Sequence, residues 1–112
     1  MVITMRAQTV QDIFDVSQTF ASGKRMLLLF ILKNEPMGYT LITKYFQKME
    51  IPIGSSEVYK HLKQLLNTGF ITKKSNNYML TLKGLKAVEN TIDIINTPPT
   101  VPEVRLSFKK NR

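Results

Sequence analysis

The polar side chains with the most informative spacing lie in residues 55–67, which read S-S-E-V-Y-K-H-L-K-Q-L-L-N. Val58, Leu62 and Leu65 recur at helical spacing, which predicts a helix with one buried face. The opposite face then points to solvent and carries Ser56, Lys60, Lys63 and Asn67. Ammonium, hydroxyl and amide groups in such a row can bond to phosphates and base edges. The row therefore indicates a binding surface for a polyanion and not a reactive centre.

Two residues beside this row each have two interpretations. The Glu57 carboxylate could accept a hydrogen bond from a cytosine amino group. An acid in the first turn is also favourable with the helix dipole, and this is the interpretation that we prefer. His61 is the only histidine and could contact phosphate or respond to pH. Its position at the margin of the buried face favours simple packing.

The chain lacks the residue sets on which catalysis and metal binding usually depend. It has no cysteine, which excludes disulfides, thiolate chemistry and the usual zinc sites. The motifs G-x-x-x-x-G-K-S/T and H-E-x-x-H are absent, and the acidic residues are scattered. We therefore expect no enzyme activity, no cofactor, no metal site and no small-molecule ligand.

Charge and length favour one domain with a polyanionic partner. The chain has 112 residues and a net charge of +8, which is concentrated in residues 22–96 and 97–112, whereas residues 1–21 are slightly acidic. Nucleic acid is the first candidate partner and an anionic membrane surface the second. The longest apolar run, from Met26 to Leu32, is too short to cross a bilayer. The N-terminus has no secretory signal, so we expect a cytoplasmic protein.

The first half of the chain predicts three helices. Residues 1–21 form an N-terminal extension that is helical from about residue 10, with Thr9 as the expected cap. Ser22 caps the next helix, which is apolar on nearly every side and should be buried. A short helix from residue 39 or 40 to about 50 should bury five side chains: Leu41, Ile42, Tyr45, Phe46 and Met49.

The segment after residue 68 predicts a hairpin and a closing helix. Gly69 suits the left-handed residue that ends a helix. Phe70–Lys73 and Tyr78–Thr81 suit strands, joined by S-N-N, in which asparagine tolerates positive φ. Thr81 can cap a helix that runs to about residue 95.

The C-terminal residues 97–112 predict a flexible basic tail. Three prolines in T-P-P-T-V-P exclude a continuing helix, and the end reads K-K-N-R. Four basic side chains there could add non-specific attraction to the phosphates of a nucleic acid: Arg105, Lys109, Lys110 and Arg112.

Residues 22–96 resemble a winged helix-turn-helix domain of prokaryotic transcription regulators. Three fragments carry the resemblance: M-L-L-L-F-I-L-K, S-S-E-V-Y-K-H-L-K-Q-L-L-N-T-G-F-I and Y-M-L-T-L-K-G-L. The resemblance implies an α+β fold with a three-helix core, a two-stranded wing and a C-terminal helix. It implies DNA contacts by eight residues: Ser55, Ser56, Tyr59, Lys60, Lys63, Lys73, Lys74 and Asn76. The whole chain also resembles small winged-helix proteins encoded by spindle-shaped viruses of archaea. This resemblance implies that the protein would be located in the host cytoplasm.

These observations predict a sequence-specific binder of double-stranded DNA, acting as a transcription regulator. Helix 55–68 would enter the major groove, and the wing, residues 71–81, would lie on the flanking backbone. The alternative is a protein-interaction or assembly module without DNA readout, because fold does not determine function. The N-terminal or C-terminal helix could pair with a second copy and give a homodimer. The apolar side chains of the N-terminal helix could instead cover the chain's own core.

Overall fold

Five helices and a two-stranded antiparallel sheet account for most of residues 6–102, the part of the chain that the computed structural model describes. In chain order they are α1 Ala7–Phe20, α2 Gly23–Asn34, α3 Tyr39–Lys48, α4 Ser55–Asn67, β1 Ile71–Lys74, β2 Asn77–Leu80 and α5 Leu82–Ile95. This is the predicted α+β arrangement, in which α2, α3 and α4 form the core, β1 and β2 form the wing, and α5 closes the domain. The predicted tail lies mostly outside the described residues, and residues 98–102 are exposed without regular secondary structure.

Helix α2 occupies the centre of the core because it is apolar on nearly every side. It contacts the other four helices and β2. Ser22 accepts a hydrogen bond from the Arg25 amide at 3.2 Å and begins the helix as predicted. Around α2 the buried apolar side chains form one cluster: Leu28, Leu29, Ile31, Leu32, Met37, Ile42, Phe46, Val58, Leu62, Leu65, Phe70, Ile71, Tyr78, Ala87 and Val88.

Helices α3 and α4 end in the same backbone motif, which directs the chain that leaves each helix. Gly69 after α4 has a φ of +83°, as predicted, and Glu50 after α3 has a φ of +58°. In both cases the amide of the following residue donates to the carbonyl five residues earlier, at 3.0 Å. Glycine adopts this conformation without strain, whereas glutamate does not.

The wing hairpin has a tighter turn than the sequence suggests. Lys74 pairs with Asn77, so the connecting turn contains only Ser75 and Asn76. The positive φ of +58° belongs to Ser75 and not to an asparagine. The expectation that asparagine would supply this conformation was wrong, because the strand register determines which residue occupies the first turn position.

Two further expectations were wrong in detail. Helix α1 begins at Ala7, so Thr9 lies inside the helix and does not cap it. A side-chain hydrogen bond of 3.0 Å, from Gln8 to Asp12 one turn later, supports this earlier start. Leu41 and Met49 are about two-fifths exposed, because only one face of the short α3 rests on α2 and α4.

Candidate nucleic-acid interface

Four exposed side chains form a row along α4 on the face away from the core. We call Ser56, Lys60, Lys63 and Asn67 the outer row. They point outward because Val58, Leu62 and Leu65 on the opposite face are fully buried. Among the described residues, only three side chains of α4 form hydrogen bonds or ion pairs, and these are Glu57, His61 and Gln64. The outer row is thus presented to solvent by a helix that is held elsewhere.

Helix α3 holds one flank of α4 through a pair of aromatic rings. The rings of Tyr39 and Tyr59 stack with centroids 4.3 Å apart and planes 7° from parallel. The Tyr39 hydroxyl donates to the Ser55 carbonyl oxygen at 3.3 Å. Ser55 and Tyr59 are both exposed, so two predicted contact residues lie on this flank beside the outer row.

A groove of about 590 Å³ separates this flank from the wing. Tyr59, Lys73 and Asn76 all line it, so the structure brings together three of the predicted contacts from two elements. The Lys73 ammonium lies 5.2 Å from the centre of the Tyr78 ring, within the range of a cation–π contact. Lys74 is exposed but lies on the opposite face of the hairpin, since successive side chains of a strand alternate. Of the two wing lysines, only Lys73 lines this groove.

Backbone hydrogen bonds attach the wing to the start of α3. The amide of Met37 donates to the Tyr78 carbonyl at 3.1 Å, and the amide of Tyr78 donates back at 2.9 Å. The next residue, Gly38, lies so close to the turn that a Cβ atom there would be 3.1 Å from the Asn76 carbonyl oxygen. The position of the wing relative to the start of α3 is consequently set by main-chain contacts.

Charged side chains hold the other flank of α4. Lys24 in α2 forms an ion pair with Glu57 at 3.1 Å. Arg25 donates from Nε to His61 Nδ1 at 3.1 Å and from its guanidinium to the Gln18 carbonyl at 2.7 Å. These contacts join α1, α2 and α4, and they turn the Glu57 carboxylate towards Lys24.

The hydrogen bonds of His61 assign its tautomer. Arg25 can only donate, so Nδ1 accepts and the proton resides on Nε2, which lies 3.4 Å from Glu57 Oε2. His61 is only 8% exposed, and desolvation lowers its pKa below the ordinary value. The hydrogen bond from Lys24 likewise lowers the pKa of Glu57. At neutral pH the ring is therefore neutral and packed, as the preferred interpretation of His61 expects.

Sequence reasoning missed Tyr39, Lys24 and Arg25 as residues that support α4. Each lies 16 to 36 residues from its partner in the chain, and helical spacing relates only residues within one element. The sequence indicated Tyr39 as a possible first residue of α3 but contained no signal that its ring would stack on Tyr59.

Residues 6–102 contain no cluster of three or more histidine, cysteine or acidic side chains that could hold a metal ion. No helix in the described part of the chain is long and apolar enough to cross a membrane.

Comparisons with known proteins identify the fold. A scan of protein-family models and a search of curated proteins found no significant match. Among solved structures, the chain is similar to the archaeal protein hsRosR in its S1 complex, with a TM-score of 0.64 and 19% identity over 80% of this chain and 86% of that one. The hsRosR-S4 complex gives a TM-score of 0.63 at 19% identity, covering 80% and 84%. An ArsR-like transcriptional regulator from Rhodococcus sp. RHA1 gives 0.57 at 17% identity, covering 80% and 83%. Together with the helix order and the wing, these likenesses show that the chain has the winged helix-turn-helix fold.

Proposed function

We propose that this chain binds double-stranded DNA with sequence preference and acts as a transcription regulator. Helix α4 would enter the major groove, and the wing would lie on the flanking backbone. The observation that carries the proposal is the outer row, which presents two lysines, a serine and an asparagine on a helix held on both flanks. The likeness to an ArsR-like transcriptional regulator supports the same role.

The positions of the side chains suggest different tasks for them. Lys60 and Lys63 are at the middle of the outer row, where lysine can pair with guanine acceptors or phosphates. Ser55 and Ser56 lie in the first turn, beside backbone amides that favour an anion. Lys73 and Asn76 border the groove beside Tyr59 and would meet the flanking backbone. Lys74, on the opposite face, would contribute less.

The proposal is tested by selecting sites from random duplexes and then measuring affinity for the selected duplex and a scrambled one. Lys60→Ala and Lys63→Ala should weaken binding. Loss of a base contact costs about 1–3 kcal/mol and relaxes the preference, whereas loss of a phosphate contact weakens both duplexes alike. Lys86→Ala, an exposed change on α5, is the matched control. Equal affinities for all three variants and the unchanged protein at low salt would contradict the proposal.

Salt dependence separates DNA binding from the alternative of a protein-assembly module. Binding to phosphates should weaken steeply between about 50 and 200 mM salt. Failure to bind any duplex, together with a protein complex that persists at high salt, would favour the assembly module.

We further propose that the chain forms a homodimer through α1, α5 or both. Phe14 is 59% exposed in α1, and Ile94 and Ile95 are each 71% exposed in α5. Residues 7–14 of α1 are exposed on every side, although Val10 and Ile13 are apolar. A symmetric dimer would suit a palindromic site with half-sites about one helical turn apart.

Sedimentation tests the dimer. Phe14→Ser should shift the protein towards monomer, while Gln11→Ser, an exposed change in the same helix, should not. A chain that starts at Ser22 should be monomeric if α1 supplies the contact, and should remain dimeric if α5 supplies it. Monomer masses for the unchanged protein, well above the concentrations used for DNA binding, would contradict this proposal.

The remaining expectations follow from a DNA-binding role. The protein would act in the cytoplasm, as a binding protein and not an enzyme. It would act in the host cytoplasm if the resemblance to archaeal viral proteins reflects its origin, which stays a prediction.

A further inference from the structure

Tyr39 contacts α4 at two positions, one turn apart on the same flank. Its ring stacks on Tyr59 with centroids 4.3 Å apart, and its hydroxyl bonds to the Ser55 carbonyl. Tyr39 is partly buried at the start of α3, whereas Tyr59 is 55% exposed at the edge of the outer row. One side chain thus fixes both the first turn of α4 and the direction of its exposed aromatic ring.

The stack bears directly on how Tyr59 can bind. An exposed tyrosine exchanges between rotamers, and a partner that immobilises it must offset the lost conformational freedom. With one face covered by Tyr39, the Tyr59 ring is held before any ligand arrives. Within the described residues, the Tyr59 hydroxyl forms no hydrogen bond, so this group remains available to phosphate or a base edge.

We propose that Tyr39 is a positioning residue for DNA recognition, which holds the Tyr59 ring in the orientation that the duplex requires. This inference rests on the proposed DNA binding and adds to it a residue from α3. Tyr39 acts through Tyr59, so its removal should matter only while Tyr59 is present.

A double-mutant cycle on duplex affinity tests this dependence. Tyr39→Leu should weaken binding roughly two- to tenfold, the range expected for the loss of an aromatic pair. Tyr39→Phe retains the ring and should restore most of the affinity, while Gln47→Ala, an exposed change at the other end of α3, should have no effect. In a Tyr59→Leu background, Tyr39→Leu should cause little further loss. Tyr39→Met removes the ring by a second route if leucine prevents folding.

Near-ultraviolet circular dichroism provides a readout without DNA. The chain has four tyrosines and no tryptophan, so coupling between stacked rings can be observed. Tyr39→Leu and Tyr59→Leu should each remove the same signal, with unchanged far-ultraviolet spectra. If Tyr39→Leu removes the signal but leaves duplex affinity unchanged, or if the two losses of affinity are additive, this inference is overturned while the proposed function stands. If the unchanged protein binds no duplex, the proposed function fails and the inference fails with it.

Discussion

The two flanks of α4 are held by different kinds of interaction. On the α3 and wing side, stacked tyrosine rings and reciprocal main-chain hydrogen bonds between Met37 and Tyr78 set the geometry. On the α1 and α2 side, ion pairs and hydrogen bonds to Glu57 and His61 do so. The first set consists of ring stacking and main-chain hydrogen bonds, whereas the second depends on charge and weakens with acid and salt.

The difference indicates which flank of α4 should hold the outer row in place when pH or salt concentration changes. Lys24 and Glu57 are more than a third exposed, so their ion pair contributes little stability by itself. The aromatic and main-chain contacts should persist where the charged contacts fail. We expect the position of the wing to be constant and the contact between α2 and α4 to vary with pH.

The largest loss of stability is expected at the buried centre of α4, on which the positions of both flanks depend. Leu62 is 1% exposed in the centre of α4, and Leu62→Asp would bury an unpaired charge. We expect a cost of more than about 4 kcal/mol and loss of the cooperative thermal transition. Lys63→Asp, the adjacent exposed position, should fold normally and lose only duplex affinity. A cooperative, native-like melt for Leu62→Asp would contradict the assignment of the core.

A smaller loss of stability is expected where α5 packs against the start of the wing. Gly84 is buried, and a Cβ atom there would overlap the carbonyl oxygen of Phe70, just before β1. Gly84→Ala should lower the free energy of unfolding by about 1–3 kcal/mol, although alanine is the better helix former. Gly23→Ala, where a Cβ atom would meet open space, should be neutral or stabilising. Denaturant melts compare the two, and equal effects would mean that the contact between α5 and the wing is not tight.

Opposite changes at the ends of α3 and α4 should shift stability in opposite directions. Glu50→Gly should stabilise by up to about 1 kcal/mol, because it relieves a left-handed glutamate. Gly69→Ala should destabilise by about 1 kcal/mol, because it places a side chain on a left-handed residue. The added Cβ atom has room, so no clash contributes to this cost. Loss of stability in both variants would show that backbone conformation does not decide the outcome.

The smallest effect concerns pH and tests the charged flank. Because burial lowers the pKa of His61, the unfolded chain binds more protons below its ordinary value of 6.5. Stability should therefore fall as the pH drops below about 6.5, and His61→Gln should flatten this dependence. Glu57→Gln should steepen the dependence near pH 6.5, because Glu57 raises the pKa of His61. It should also flatten the dependence below about pH 4.5, because the Lys24 hydrogen bond lowers the pKa of the Glu57 carboxyl from that ordinary value. Melts between pH 7 and 5 that show the same slope for His61→Gln and the unchanged protein would contradict this role.

Much of the fold and part of the candidate site follow from the sequence, because they depend on local rules. Helical spacing identifies the buried face of α4, and the outer row follows from it with no further information. Ser22 and Thr81 cap their helices as predicted, since a cap is a contact within one turn. Gly69 similarly marks the end of α4. Whether the predicted contact residues touch DNA stays a prediction.

Only the tertiary structure decided which side chains support the outer row and which share a groove. The pairing of Tyr39 with Tyr59 and of Arg25 with His61 depends on how three helices pack, and the spacing of residues within a helix contains no information about that packing. Neighbouring strand residues alternate in any register, but which of Lys73 and Lys74 faces the groove depends on strand register. The reciprocal bonds between Met37 and Tyr78 tie that register to the body of the domain. Local periodicity thus determined which faces of the helices are buried, and long-range packing determined what holds the exposed face in place.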